Sequence, residues 1–148
     1  MRRGASGFSL VEVAIALGIV AFGLVAVLGL LPVGLNLAKD SSDEVIAVNI
    51  MAAISADLKS AEPSEVQSRR YQIPLDHAND GSAFFNLEGK WLGNTGTPVD
   101  AAFVARWKVR SRTASTPPVA HVVVAWPAKA ATGTGSIEAL LPLAQDVK

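Results

Sequence analysis

Glu12 is the residue in this 148-residue chain whose surroundings most demand a chemical reason. It stands between Val11 and Val13, at the head of a run from Val13 to Leu35 that has no charged side chain. As a helix, that run of about 23 residues extends roughly 34 Å, enough to cross a hydrocarbon core of about 30 Å. A carboxylate at membrane depth costs on the order of 2.5–3.5 kcal/mol on insertion scales. An acid kept at that cost points to a functional role. Ahead of it lie a short polar stretch, MRRGASG, with Arg2 and Arg3, and then a Gly7-Phe8 junction.

Other candidates are weaker. Arg106, Lys108 and Arg110, extended by Arg112, alternate along one strand and share a face. No aromatic stacking platform lies on that face, which reads against nucleic acid as a partner. A solvated strand face, with charge placed against edge pairing, explains the row. Contact between copies is a further reading: Lys39 to Glu65 is rich in acids and Arg69 to Lys129 in bases. His77 and His121 stand apart, with no metal-ligand spacing, and read as loop and core residues. The loop Pro127–Ser136, PAKAATGTGS, offers calcium no carboxylate, and its glycines follow no phosphate-loop pattern. No nucleophile and base stand in a recognisable pattern, so no enzyme, metal or cofactor is expected.

The elements that must position Glu12 begin with a helix from Phe8 to about Leu31. Pro32 removes a backbone donor and Gly34 follows, so a kink or melted turn is expected around Leu30–Gly34. The helix is expected to resume at Asn36 or at Ser41/Ser42, favoured by Asp40, Asp43 and Glu44. There Ile46, Ile50, Ile54 and Leu58, with Ala47 and Met51 beside them, form an apolar stripe suited to packing on a sheet, while Asn49, Asp57 and Lys59 fall off it. Glu62-Pro63 ends it.

After Pro63 the pattern turns to strands. Arg69–Leu75 reads as an edge strand broken by Pro74, and Asp76–Gly81 as a loop. Phe84–Leu87 and Trp91-Leu92 form a hairpin with Gly89 in its turn. Gly93–Pro98 is another loop. Ala102–Arg112 alternates, with Phe103, Ala105, Trp107 and Val109 on one face. Val119–Trp126 is apolar on both faces except for His121, as a central strand would be. Ile137–Leu143 adds a last strand.

Composition sets the bounds. With the apolar segment set aside, about 100 residues remain, one small domain on one anchor. The formal net charge is zero and there are no cysteines. The first gives no polyelectrolyte signature; the second means that the domain holds together without disulfides. A secretory signal has an apolar region of about 7–15 residues and a small-residue cleavage site, and this run is longer and has none at its end. A plain single-pass anchor accounts for the length and for Arg2 and Arg3 on the cytoplasmic side, but not for Glu12 or the Gly7-Phe8 junction.

The basic leader, Gly7-Phe8, Glu12 and the uncharged run, in that order, resemble the type IV pilin and type II secretion pseudopilin family over residues 1 to about 60. There is a looser likeness to the pilin-like cassette proteins of the Verrucomicrobia group. The resemblance implies an α+β fold, a long N-terminal helix, membrane-spanning in its first half, packed on a small antiparallel β-sheet. It divides the chain into a leader (1–7), a transmembrane and filament-core helix (8–35), an amphipathic continuation (36–62) and a β-rich domain (63–148). It implies cleavage after Gly7 by a prepilin peptidase, N-methylation of Phe8, and a carboxylate at Glu12 that meets the amino terminus of a neighbouring subunit. The implied partners are that peptidase, other pilin or pseudopilin subunits in a helical filament, and the bacterial inner membrane with its assembly platform. The C-terminal domain would be periplasmic, before the subunit enters a filament. Three departures stand out: Pro32 lies later than the helix-breaking proline of many pilins, the calcium loop of major pseudopilins lacks its acids, and no C-terminal disulfide can form. The calcium departure favours a minor subunit. The rival is a monomeric anchored binding module for a secreted substrate or DNA, and the N-terminus of the mature chain separates the two.

Overall fold

A computed structural model describes Gly7 and residues 9–62, 64–110, 117–130 and 133–143. The chain divides into two compact units, Met1–Asp40 and Ser41–Lys148. One helix, α1 (Leu10–Ser60), begins in the first and ends in the second. Its start is capped: the Ser9 hydroxyl accepts the Val11 N–H at 3.3 Å, and the Ser9 carbonyl accepts the Val13 N–H at 3.2 Å.

The interruption expected at Leu30–Gly34 is absent. Residues 30–34 are helical, Pro32 lies inside α1, and Ser41/Ser42 is mid-helix rather than a new start. Proline withholds one donor from the Leu28 carbonyl, but breaking the helix would require a second nucleation, and extending a formed helix is easier than starting one.

In the second unit, α1 presents Ala47, Ile50, Ile54 and Leu58 to the core, as their spacing requires. Ile46 and Met51 pack at its margin. The strands are β1 (Asn79–Phe85), β2 (Trp91–Gly93), β3 (Phe103–Arg110), β4 (Val119–Trp126) and β5 (Gly135–Pro142). They form one antiparallel sheet in the order β2-β1-β3-β4-β5. The α+β arrangement that the resemblance implies is therefore present: a long N-terminal helix whose later turns pack on a small antiparallel sheet.

Strand periodicity sorts the two faces. Phe85, Phe103, Ala105, Trp107, Val109, Val122 and Val124 join the helix residues in the main core. On the other face, Phe84, Val104 and Ala125 form a smaller cluster with Ala101 and Ala128. The rest of that outer face carries Asp80, Arg106, Lys108, Arg110 and Glu138 among uncharged residues such as Ser82, Val123 and Leu140.

The β1–β2 hairpin forms with Gly89 in its turn at φ 74°, and a register shift lies between Phe84 and Phe85. Asn86 organises this turn, its side-chain oxygen accepting the N–H groups of Glu88 and Lys90 at 3.0 and 2.8 Å.

Three strand boundaries differ from expectation. Residues 69–75 are not an edge strand but a tight reversal, held by a single bridge between Gln67 and Pro74, with Gln72 at φ 55°. Asn79–Gly81 is not loop but the start of β1, because β3 offers it a full ladder from Val109 to Trp107. Gly135 and Ser136 likewise belong to β5, paired with Trp126 and Ala125. The sheet edges are therefore β2 and β5.

Candidate functional site

Glu12 lies three residues past the Ser9 cap, in the first turn of α1. The N-terminal end of a helix favours a carboxylate there by about 0.3–1 kcal/mol. That is smaller than the insertion cost of about 2.5–3.5 kcal/mol at membrane depth. The helix end alone therefore does not satisfy the acid in an apolar medium. The carboxylate is exposed, and among the described residues it has no ion pair. Gly7 is exposed, with no atom within 4 Å of the position a Cβ would take. Phe8 lies outside the described residues, and the cleavage and methylation expected at Gly7-Phe8 fall at that boundary.

The segment after Glu12 gives the acid its setting. No residue from Leu10 to Leu37 is buried by the chain itself; Leu10 is 87% exposed and Phe22 79%. α1 is long and apolar enough in this part to cross a membrane. Covering one such Leu, Val or Phe side chain contributes about 1.5–3 kcal/mol, so the segment calls for an apolar surrounding. Gly18, Gly23, Gly29 and Gly34 meet nothing within 4 Å. No packing among the described residues accounts for them; small residues of this kind permit close helix approach.

The basic row lies on the outer face of the sheet, and the structure corrects the reason given for it. β3 is the central strand, so the row guards no edge. Arg106, Lys108 and Arg110 are exposed, and Arg112 lies outside the described residues. Asp80 on β1 sits 3.3 Å from Arg110 and 3.7 Å from Lys108. His121, opposite Lys108 on β4, is half-buried on this face rather than in the core, with Nε2 3.2 Å from Glu138 Oε2. Arg106 has no ion pair among the described residues. Two shallow hollows meet here, sharing Lys108 and His121. His77 is an exposed loop residue, Nδ1 2.6 Å from Asp76.

Asp57, expected to fall off the helix stripe, is buried. Its two oxygens accept the backbone N–H groups of Arg70 and Tyr71 at 2.9 and 3.0 Å. The side chain thereby ties the end of α1 to the reversal that follows. The same reversal carries an exposed clasp, Arg69 bridging Glu62 at 3.0 Å and Glu65 at 2.5 Å. The hydrogen bond from Arg69, aided by one from the Glu62 backbone, lowers the Glu65 carboxyl below its usual range and raises Arg69. Burial raises the Tyr71 phenol.

Among the described residues, no group of three or more His, Asp and Glu is placed to hold a metal ion. The N-terminus remains the distinctive feature. Residues 2–28 match the family model of the prokaryotic N-terminal methylation motif. The chain carries that motif at its N-terminus. The match takes in Gly7, Phe8 and Glu12 together with the apolar run as far as Leu28, and it supports the type IV pilin and pseudopilin resemblance. No curated protein and no solved structure matches the chain. The methylation motif implies processing by a prepilin peptidase and assembly with other pilin subunits, and its family is structural rather than enzymatic. With the apolar helix behind it, the motif fits membrane anchoring.

Proposed function

We propose that this methylation-motif chain is a structural subunit, a minor pilin or pseudopilin, of a type IV pilus or a type II secretion pseudopilus. It inserts once in the bacterial inner membrane, with the sheet domain on the periplasmic side. Prepilin peptidase hydrolyses the Gly7–Phe8 bond and methylates the amine that this frees on Phe8. A secondary amine remains basic, so the new terminus keeps its positive charge. On entry into the filament, Glu12 of one subunit meets that terminus on a neighbour.

The energetics favour such a pair. Two unit charges about 4 Å apart at an effective dielectric of about 20 attract by about 4 kcal/mol. That is of the same order as the cost of holding the carboxylate in an apolar medium, a cost that the helix cap does not offset. A subunit entering in the wrong axial register would leave both charges unpaired.

The observation that carries this reading is one coincidence. A segment that matches the methylation motif also holds a Glu12 without an ion pair among the described residues, in the first turn of a helix whose apolar surface those residues leave uncovered. The absence of acids from the Pro127–Ser136 loop supports a minor rather than a calcium-dependent major subunit. Mass spectrometry of the chain purified from membranes tests it. An N-methylated Phe8 terminus is the expected result. A native chain that keeps Met1 or Arg2 and stays monomeric would overturn the proposal in favour of an anchored binding module.

A further inference from the structure

Among its described residues, the second unit carries charge of opposite sign, without ion pairs, on its two sides. Glu44, exposed, and Asp43, half-buried, lie on the helix, and neither has an ion pair among the described residues. Three residues further on, Ala47 enters the core from the helix side of the sheet. Arg106 has no ion pair among the described residues and stands on the opposite face of β3, between Ser82 on β1 and Val123 on β4. Lys108 and Arg110 continue that face, sharing the single carboxylate of Asp80. Because the sheet separates the two groups, a domain cannot bring its own acids to its own Arg106.

We infer that the outer face of β3, centred on Arg106, docks the Asp43–Glu44 turn of a second copy of this chain. The inference rests on the proposed assembly of subunits and names one surface through which copies meet. Its geometry has a direction. A patch whose complement lies on the opposite side of the same domain cannot be satisfied twice in a two-fold dimer, so the contact repeats head to tail and stays open-ended. Arg106 and Lys108 are about 7 Å apart along the strand, so the face offers two cations within reach of one helical turn. The charges are exposed, so each pair contributes modestly and is screened by salt. Their part is to select orientation, while the apolar helix supplies the bulk of the attraction.

The absence of cysteine makes the test clean. Full-length chains carrying only Val48→Cys, one turn beyond Glu44, are co-expressed with chains carrying only Ser82→Cys, directly opposite Arg106, in cells that supply a prepilin peptidase. A short thiol crosslinker is then added. The expected product is a dimer between the two kinds of copy, with none when either variant is expressed alone. Arg106→Glu in the Ser82→Cys copy lowers the yield about threefold or more, and Glu44→Arg in the Val48→Cys copy restores it. Arg106→Gln gives a milder loss and guards against a folding defect in the reversal. The N-terminal mass and the sedimentation of assembled material are read on the same samples. A processed, assembling chain that gives no crosslink, or a crosslink indifferent to Arg106→Glu, or capture of Ser82→Cys by a different protein, overturns this contact and leaves the subunit reading standing. An unprocessed monomer overturns both.

Discussion

Asp57 accepts the backbone N–H of Tyr71 at 3.0 Å, a buried bond across fourteen positions of chain. With the companion bond from Arg70, it gives the last turn of α1 a fixed address on the segment that leads into the sheet. Hydrogen bonds to a charged acceptor contribute about 1.5–3 kcal/mol, and a donor stranded by loss of its partner costs a similar amount. Asp57→Ala is therefore expected to destabilise the domain by about 2–4 kcal/mol. Asp57→Asn, which keeps one acceptor oxygen, should cost less. Urea midpoints of the detergent-solubilised chain, followed by circular dichroism, check this; equal midpoints for Asp57→Ala and the parent would refute it.

Gly81 lies across the β1–β3 ladder from Trp107, and Gly135 lies across the β4–β5 ladder from Trp126. In each pair an indole occupies the room that a side chain would need. A Cβ at either glycine would stand 2.3 Å from the Cζ2 of its tryptophan. Gly81→Ala must displace a Trp107 ring that is 5% exposed and whose Nε1–H donates to Asn79 at 2.9 Å. Overpacking of this kind costs about 1–3 kcal/mol. Gly135→Ala should cost less, because Trp126 is only half-buried and has room to yield. The ranking of the two midpoints is the measurement.

Glu12→Gln keeps the shape of the side chain and removes its charge. Processing at Gly7 should continue, with an unchanged N-terminal mass, while incorporation into assembled material falls sharply. Gly7→Val should instead block cleavage and leave the precursor mass. A Glu12→Gln chain that assembles as well as the parent would end the pairing account.

The Arg69 clasp should respond to acid. Glu65 has a lowered pKa, chiefly through its hydrogen bond from Arg69. The contribution is therefore complete above the usual carboxylate range and is lost as pH falls through the lowered value. Arg69 stays protonated throughout. Amide exchange at Glu62, whose N–H donates to Glu65 at 2.9 Å, is expected to quicken below that range and to be flat above it. Because the groups are exposed, global stability should hardly change over the same interval. Faster exchange at higher pH, corrected for the intrinsic rate, would contradict the assignment.

Much of the architecture was legible because it rests on repeating patterns. The four-residue spacing of Ile46, Ile50, Ile54 and Leu58 indicated the helix face, and the alternation of Phe103 to Val109 indicated the inner face of β3. Gly89 marked the hairpin turn. The features missed depend on partners far away in sequence. Asn79, Asp80 and Gly81 have loop-like chemistry and become strand because β3 pairs with them. Asp57 looked like a solvent residue because its partners are backbone groups, which carry no side-chain signal. The reversal at Gln72 uses a positive φ without a glycine to announce it. Pro32 was misread because a local breaker was weighed without the cooperativity of the helix on both sides. At the N-terminus, the type and spacing of Gly7, Phe8 and Glu12 were readable directly; the Ser9 cap beneath them was not singled out.

The chain has three tryptophans, and they lie on β2, β3 and β4, at 91, 107 and 126. None falls in Met1–Asp40. Intrinsic ultraviolet emission is therefore a selective optical probe: it reports the state of the sheet and is silent about the apolar half of α1. A change of lipid or detergent that leaves the emission maximum in place has left the sheet intact, and a label placed near Phe22 would give the other half of the molecule its own signal.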